Sequence, residues 1–394
     1  RWLGKEDVTG KTLLLTSEQG YGDSVQFSRY VRLLEARGAR VLLFVPEPLV
    51  ALFRQSFPRA RVFSRTNEFP PFDFHCPLLG LPLAFGTQLD TIPAPARYIA
   101  APPDRARKWA ARIGTSAQAR VGLAWAGSAT HKNDINRSIA LAEFAPLLSV
   151  PGPRFYSLQK DLRGGDAARL AALGNVVPLG EEFEDFSDTA GAIAALDLVI
   201  TVDTAIAHLA AAMGKPTWIL LPVVSDWRWL PGKDTSAWYP SARLYWQPQI
   251  GAWRPVIERL RTDLARFHPP PLSLDQAVDQ AVGFLRAGNL ADAEAIGQAV
   301  LQLQGDHPDA LAVLGSVRLQ QQRVAEAVDL FGRVLERRPD NLDAMLNLAG
   351  ALRLADRHLD ALAWYQRALA LAPDNPNVHV NRGVSLIALQ RYDE

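Results

Sequence analysis

The sequence predicts a two-lobed α/β region, each lobe Rossmann-like, followed by an all-α solenoid of helical repeats. Three observations carry this reading. Apolar stretches of strand length alternate with amphipathic stretches through roughly the first 270 residues, the pattern of a mostly parallel sheet with crossover helices. From about residue 273 a 34-residue spacing takes over. Between them lies Pro269-Pro270-Pro271, which cannot continue a helix and marks a boundary. The expected division is 1–100 for an N-terminal lobe, 101–268 for a C-terminal lobe and 272–394 for the repeats.

In the first lobe, residues 11–17 (KTLLLTS) read as a buried strand and lead into Gln19-Gly20-Tyr21-Gly22-Asp23. A helix is expected over 24–37, with Val25, Tyr30, Val31 and Leu34 near one face and Gly38 at its end. A strand at 41–45, a helix at 48–55 and a strand at 61–64 complete a βαβαβ unit. Residues 101–119 are rich in Ala, Pro and Arg and hold a connecting helix. A second series follows, with strands near 121–125, 155–158, 176–179, 198–202 and 217–221 and helices including 189–196 and 204–213.

In the C-terminal third, Gly315, Ala349 and Gly383 are 34 residues apart, as are Ala327 and Ala361, Phe331 and Tyr365, and Pro339 and Pro373. A step of 34 back from Gly315 and Ala327 reaches Ala281 and Ala293. Small residues let paired helices approach, an aromatic fills the space beside them, and proline ends the unit. This is the signature of tetratricopeptide (TPR) repeats, in three units plus a truncated fourth. The first unit is atypical, with Gly297 at the aromatic position and Gly305 at the proline position. Such arrays form concave surfaces that bind peptides or proteins; a spacer or oligomerisation element is the alternative.

Composition excludes several classes. The 42 basic and 41 acidic residues leave a net charge of +1 and no electrostatic case for nucleic acid. Cys76 is the sole cysteine, so no intramolecular disulfide or cysteine-rich metal site forms, which suits a reducing, cytoplasmic setting. No apolar run approaches the roughly 20 residues of a membrane span. The chain opens at Arg1 and stops at Tyr392-Asp393-Glu394 inside a repeat, and so reads as a piece of a longer protein.

Four constellations can carry chemistry. Gly20-Tyr21-Gly22 lies between a strand and a helix, but Val25 stands where a dinucleotide fingerprint needs its third glycine. Even with Glu47 available as a ribose acid, NAD is not expected. Asp23 beside this turn is either a general base facing the space between the lobes or a cap on the helix. Asp203-Thr204-Ala205 joins a strand to a helix, where backbone N–H groups suit a diphosphate. His208, one turn beyond Thr204, either faces the same ligand or fills the core. The loop from Trp125 to Ser138 packs cations, amides and hydroxyls, with Ser128, Lys132 and Arg137 as candidates for phosphate oxygens; a solvated loop is the plain alternative. Finally, Trp227, Trp229, Trp238, Trp246 and Trp253 fall within 27 residues. One or two are expected near a ligand, Trp227 first.

Taken together, residues 3–267 resemble glycosyltransferase family 9, the heptosyltransferase-like group, and the whole chain is similar to bacterial TPR proteins that carry such a domain. The residues bearing the resemblance are Glu18 to Asp23, His131 to Ser138 and Val202 to Ala210. The resemblance implies a GT-B-like enzyme of two Rossmann-like lobes that needs no metal and inverts the anomeric centre. Asp23 matches the family's proposed base. Arg137 stands at a lysine that contacts the donor phosphates, with Lys132 as the alternative. Thr204, Ala205 and His208 match the nucleotide-diphosphate motif, and Asp203 matches the acid near the donor sugar.

The function so implied is transfer of a sugar from a nucleotide-diphosphate sugar, ADP-heptose-like donors among them, to a glycan, lipid or protein acceptor. No cofactor is expected, because the donor is a substrate, and the repeats supply protein binding. Two other readings stand beside it. One is an interaction scaffold with a vestigial transferase domain. The other is a protein modifier like the O-linked N-acetylglucosamine transferases, which also join TPR units to GT-B lobes.

Overall fold

The computed structural model describes residues 1–64, 69–114, 116, 118–268, 274–286, 288–373 and 375–391. The expected break at Pro269-Pro270-Pro271, the first residues of the repeat region and the ending at Tyr392-Asp393-Glu394 lie outside the described residues. The chain divides into two compact units, residues 1–270 and 271–394.

The first unit holds two parallel sheets. Strands β1 (Thr12–Thr16), β2 (Arg40–Phe44), β3 (Arg61–Phe63) and β4 (Phe74–Pro77) form the smaller one, in the order β3-β2-β1-β4. Leu13 to Leu15 and Val41 to Leu43 are buried in succession, the signature of strands covered on both faces. Helices α1 (Tyr21–Phe27), α2 (Val31–Ala36), α3 (Val50–Ser56) and α4 (Leu81–Ala84) belong to this half. The helix expected over 24–37 begins three residues earlier and is broken by a tight turn at Ser28–Tyr30. There, Ser28 Oγ donates to the Val25 carbonyl and Arg29 Nε to the Gln26 carbonyl, both at 2.8 Å. Such side-chain bonds compete with the regular helical ladder.

The larger sheet follows helix α5 (Pro103–Ile113). Its strands are β5 (Arg120–Ala124), β6 (Arg154–Ser157), β7 (Val176–Pro178), β8 (Leu198–Val202), β9 (Thr217–Leu221) and β10 (Ala242–Trp246), in the order β10-β9-β8-β5-β6-β7. The chain winds outward one way from β5 and the other way from β8. The β5/β8 boundary is therefore the topological switch point, where open parallel sheets bind ligands beyond their carboxyl ends. Helices α6 (Asp134–Arg137), α7 (Ala145–Leu148), α8 (Asp166–Leu173), α9 (Phe186–Ala194), α10 (Ala205–Ala212) and α11 (Arg254–Leu264) complete it. One apolar cluster takes in Leu13, Leu15 and Val25 from the first half together with Val199, Ala210 and Leu244 from the second. The two sheets thus share a core, and α1 packs on α10.

The second unit is a chain of helices α12 (Leu274–Arg286), α13 (Leu290–Leu303), α14 (Pro308–Gln320), α15 (Val324–Arg337), α16 (Leu342–Leu354), α17 (His358–Leu371) and α18 (Pro376–Ala388). The even-numbered helices begin 34 residues apart, as do the odd-numbered ones. The turn after each even-numbered helix places one residue in the left-handed region, Gly288, Gln322, Asp356 and Gln390, again at a spacing of 34. Ala327, Ala361, Phe331 and Tyr365 are fully buried, as their positions in the repeat require. In the first repeat Gly297 lacks the aromatic, and the Leu314 side chain occupies the space, 3.0 Å from where a Cβ would sit.

Candidate functional site

The loop after β5 and the turn after β8 leave the sheet on either side of its switch point. Their local chemistry explains their shape. Arg137, at the end of α6, donates through Nη1 to the Asp203 carbonyl at 2.8 Å. Its guanidinium lies across Gly127, where a Cβ would displace it. Asp134 braces the loop from beneath: it accepts from Ser138 Oγ at 2.8 Å, pairs with Arg163, and lies 3.6 Å from Arg137 Nε. Ser138 Oγ in turn receives the Gly127 N–H at 3.1 Å. The rest of the loop is more open. Ser128 and Lys132 are exposed, and Ser128 Oγ lies 2.8 Å from Thr130 Oγ1.

Thr204 opens α10 as its N-cap, its Oγ1 accepting from the Ile206 N–H at 3.3 Å. Ala205 is the first helical residue. His208 does not share an open ligand face with Thr204. It is buried, stacked on Trp229 at 5.4 Å between ring centres, with Nδ1 2.9 Å from Tyr239 Oη. Burial, reinforced by the cations Arg228, Arg29 and Arg137, holds the imidazole well below its ordinary pKa and hence neutral. Asp203 Oδ1 stands 3.9 Å from His208 Nε2. Burial raises the Asp203 carboxyl against the opposing charges of Arg228 and Arg137.

Asp23 reaches this group from the other half of the unit. It is residue N3 of α1, not its first cap: Gly20 is the N-cap, and Asp23 Oδ2 accepts the Gly20 N–H at 3.1 Å. Its Oδ1 accepts from Arg228 Nη2 at 2.6 Å. The two side chains are 14% and 8% exposed, so the pair is nearly shielded from water. Arg228 also stands 3.1 Å from Asp226 and 3.5 Å from His208 Nε2. Since a guanidinium only donates, a neutral His208 meets it through an acceptor Nε2 and carries its proton on Nδ1, toward Tyr239. Gly22 permits the approach, because a Cβ there would fall 2.5 Å from His208 Cδ2.

Asp23 and His208 therefore meet at Arg228, a residue that sequence reasoning passed over, and Arg137 joins the group through the Asp203 carbonyl. Its signal was present in Ser225-Asp226-Trp227-Arg228-Trp229, where the tryptophans drew attention. Of those five tryptophans, Trp229, Trp238 and Trp253 fill the core, whereas Trp227 is 61% exposed and packs edge-on against Trp238. Among the described residues there is no cluster of ligands that could hold a metal ion, nor a helix long and apolar enough to cross a membrane.

Residues 185–235 match the family model of glycosyltransferase family 9 (heptosyltransferase). The match runs from the start of α9 through Asp203, Thr204, Ala205 and His208 to Arg228. Residues 278–333 and 314–376 match the tetratricopeptide repeat model. The chain is 29% identical over 290 residues to Protein FlbA of Caulobacter vibrioides, covering 68% of this chain and 48% of that protein. It thus spans about half the length of the curated relative it matches. Crystal structures of MamA are similar at 16% identity, covering 31% of this chain and 66% of that one with a TM-score of 0.29, and at 23% identity, covering 34% and 79% with a TM-score of 0.29.

Proposed function

We propose that this chain, in which a glycosyltransferase family 9 segment precedes tetratricopeptide repeats, transfers a sugar from a nucleotide-diphosphate donor to an acceptor hydroxyl with inversion, in a GT-B-like arrangement. The observation that carries the reading is that Asp23, from the half built on the smaller sheet, pairs with Arg228 of the other half, beside His208 of α10. A base on one side and an anion site on the other is what a single displacement requires. The acceptor oxygen bonds to the anomeric carbon while the bond from that carbon to the diphosphate oxygen breaks. The electron pair leaves with the diphosphate, and the hydroxyl proton passes to the Asp23 carboxylate.

The donor side is supplied by the N–H groups opening α10 and by Arg137, with Ser128 and Lys132 on the loop above and Trp227 as a stacking face. Asp203, whose carboxyl is raised by burial, hydrogen-bonds the donor sugar in this reading. His208 serves as a buried support for Arg228. The donor is a substrate, and no metal or other cofactor enters the reading. A single cysteine, buried, with its thiol pushed up to about 11 by burial, fits a reducing, cytoplasmic compartment. The repeats supply a surface for a protein or peptide, either the acceptor itself or a partner that brings the acceptor.

Calorimetry with ADP, GDP, UDP and CDP tests the donor site. One of them is expected to bind, and Arg137→Ala to weaken it by about 1.5–3 kcal/mol, the range for hydrogen bonds to charged groups. Unchanged affinity in both Arg137→Ala and Thr204→Val would remove the diphosphate from this position.

A further inference from the structure

We propose that Arg228 is a donor-sensing latch on Asp23, holding the carboxylate until a diphosphate at the amino end of α10 draws the guanidinium away. This rests on the reading of Asp23 as base and of α10 as the diphosphate site. The observations are geometric. Arg228 Nη2 is bonded to Asp23 Oδ1 at 2.6 Å, and Asp23 Oδ2 is already occupied by the Gly20 N–H. In this state each oxygen of the carboxylate already accepts one hydrogen bond, and the guanidinium occupies one side of Oδ1.

The same guanidinium stands beside α10 through His208 Nε2 and is anchored on its Nε side by Asp226 at 3.1 Å. It can therefore pivot between two anions without leaving its seat. His208, neutral and fixed by Tyr239 and Trp229, sets no competing charge in the way. A diphosphate carries more negative charge than one carboxylate and is also met by helix N–H groups, so the exchange favours the donor. Arg228 then neutralises the charge that develops on the leaving group, and Asp23 Oδ1 is released to accept the hydroxyl proton. Donor binding precedes a competent base, which sets the order of events.

Carboxylate and diphosphate thus compete for one cation, and competition leaves a thermodynamic trace that turnover does not enter. The experiment is calorimetry of the full chain with inorganic pyrophosphate and the same four nucleoside diphosphates. The proteins are the wild type, Asp23→Asn, Arg228→Gln and the double variant. Arg228→Gln is expected to weaken binding roughly 10–100-fold, the loss of a charged hydrogen bond. Asp23→Asn is expected to tighten it several-fold, and that gain is expected to vanish when Arg228 is already Gln. A gain of equal size in both backgrounds is simple charge removal and overturns the latch, as does the absence of a gain. Should Arg228→Gln fail to fold, Arg228→Lys replaces it: the single-point ammonium is expected to show a smaller gain than arginine, and an equal gain overturns the proposal. If the wild type binds none of the five probes, the donor site itself is wrong and the latch falls with it.

Discussion

At the scale of single residues the site is held together by what is missing as much as by what is present. Gly22 and Gly127 have ordinary backbone angles, yet each leaves room for a ring or guanidinium where a Cβ would collide. Gly22→Ala is expected to push His208 off the α1 surface and lower stability by about 1–3 kcal/mol, the usual cost of overpacking. Gly332 is the control. It lies within α15 with open space around its missing Cβ, so Gly332→Ala is expected to gain about 0.5–1 kcal/mol from helix propensity. Thermal melts of the two variants side by side decide the matter, and a Gly22→Ala protein as stable as wild type would contradict the packing described. Arg29 shows the same economy. Its guanidinium is buried on carbonyls of Trp238 and Pro93 and the hydroxyl of Tyr98, with the rings of Tyr98, Trp238 and Tyr239 around it.

At the scale of elements, neighbouring repeat helices are tied by charge as well as by apolar packing. Glu294 on α13 accepts from Arg318 Nη2 of α14 at 2.7 Å and from Nε2 of Gln321, just past the end of α14, at 2.9 Å. The Arg318 bond, followed by that of Gln321, holds the carboxyl down to about 2. A folded pKa below the unfolded one stabilises fully above the ordinary carboxylate pKa, and the gain is lost as pH falls toward the folded value. Melting of the full chain from about pH 5 to about pH 3 is therefore expected to shift less in Glu294→Gln than in wild type. Equal shifts would show that the tie contributes nothing.

The repeats were legible because a 34-residue spacing survives any detail of packing, and β8 and β9 because each is a run of buried residues that is apolar but for one threonine. Strand β4 was not: Phe74-His75-Cys76-Pro77 has a polar second residue and a proline, and is a strand because it pairs with β1. Strand β10 was hidden by Arg243 and by a tryptophan cluster that looked like ligand chemistry. Arg228 could not be found by spacing, since its partner lies 205 residues away.

At the scale of the whole α/β unit, the smaller and larger sheets share one apolar core and meet at a buried ion pair whose two members come from opposite halves. In the proposed mechanism one aspartate does two jobs, orienting the first turn of α1, where it accepts the Gly20 N–H, and serving as the base opposite the proposed anion site. The account stands or falls on the second. Asparagine at position 23 still accepts the Gly20 N–H, but it cannot take a proton. The decisive measurement is turnover of the nucleotide sugar whose diphosphate binds, for wild type and Asp23→Asn together, with melting temperature and diphosphate affinity recorded on the same preparations. Turnover is expected to fall by about 10²–10⁴, the usual loss of a general base, while the fold is kept and the diphosphate binds at least as tightly. Turnover surviving within a few-fold while the melting temperature drops would make Asp23 a structural residue and place the base elsewhere.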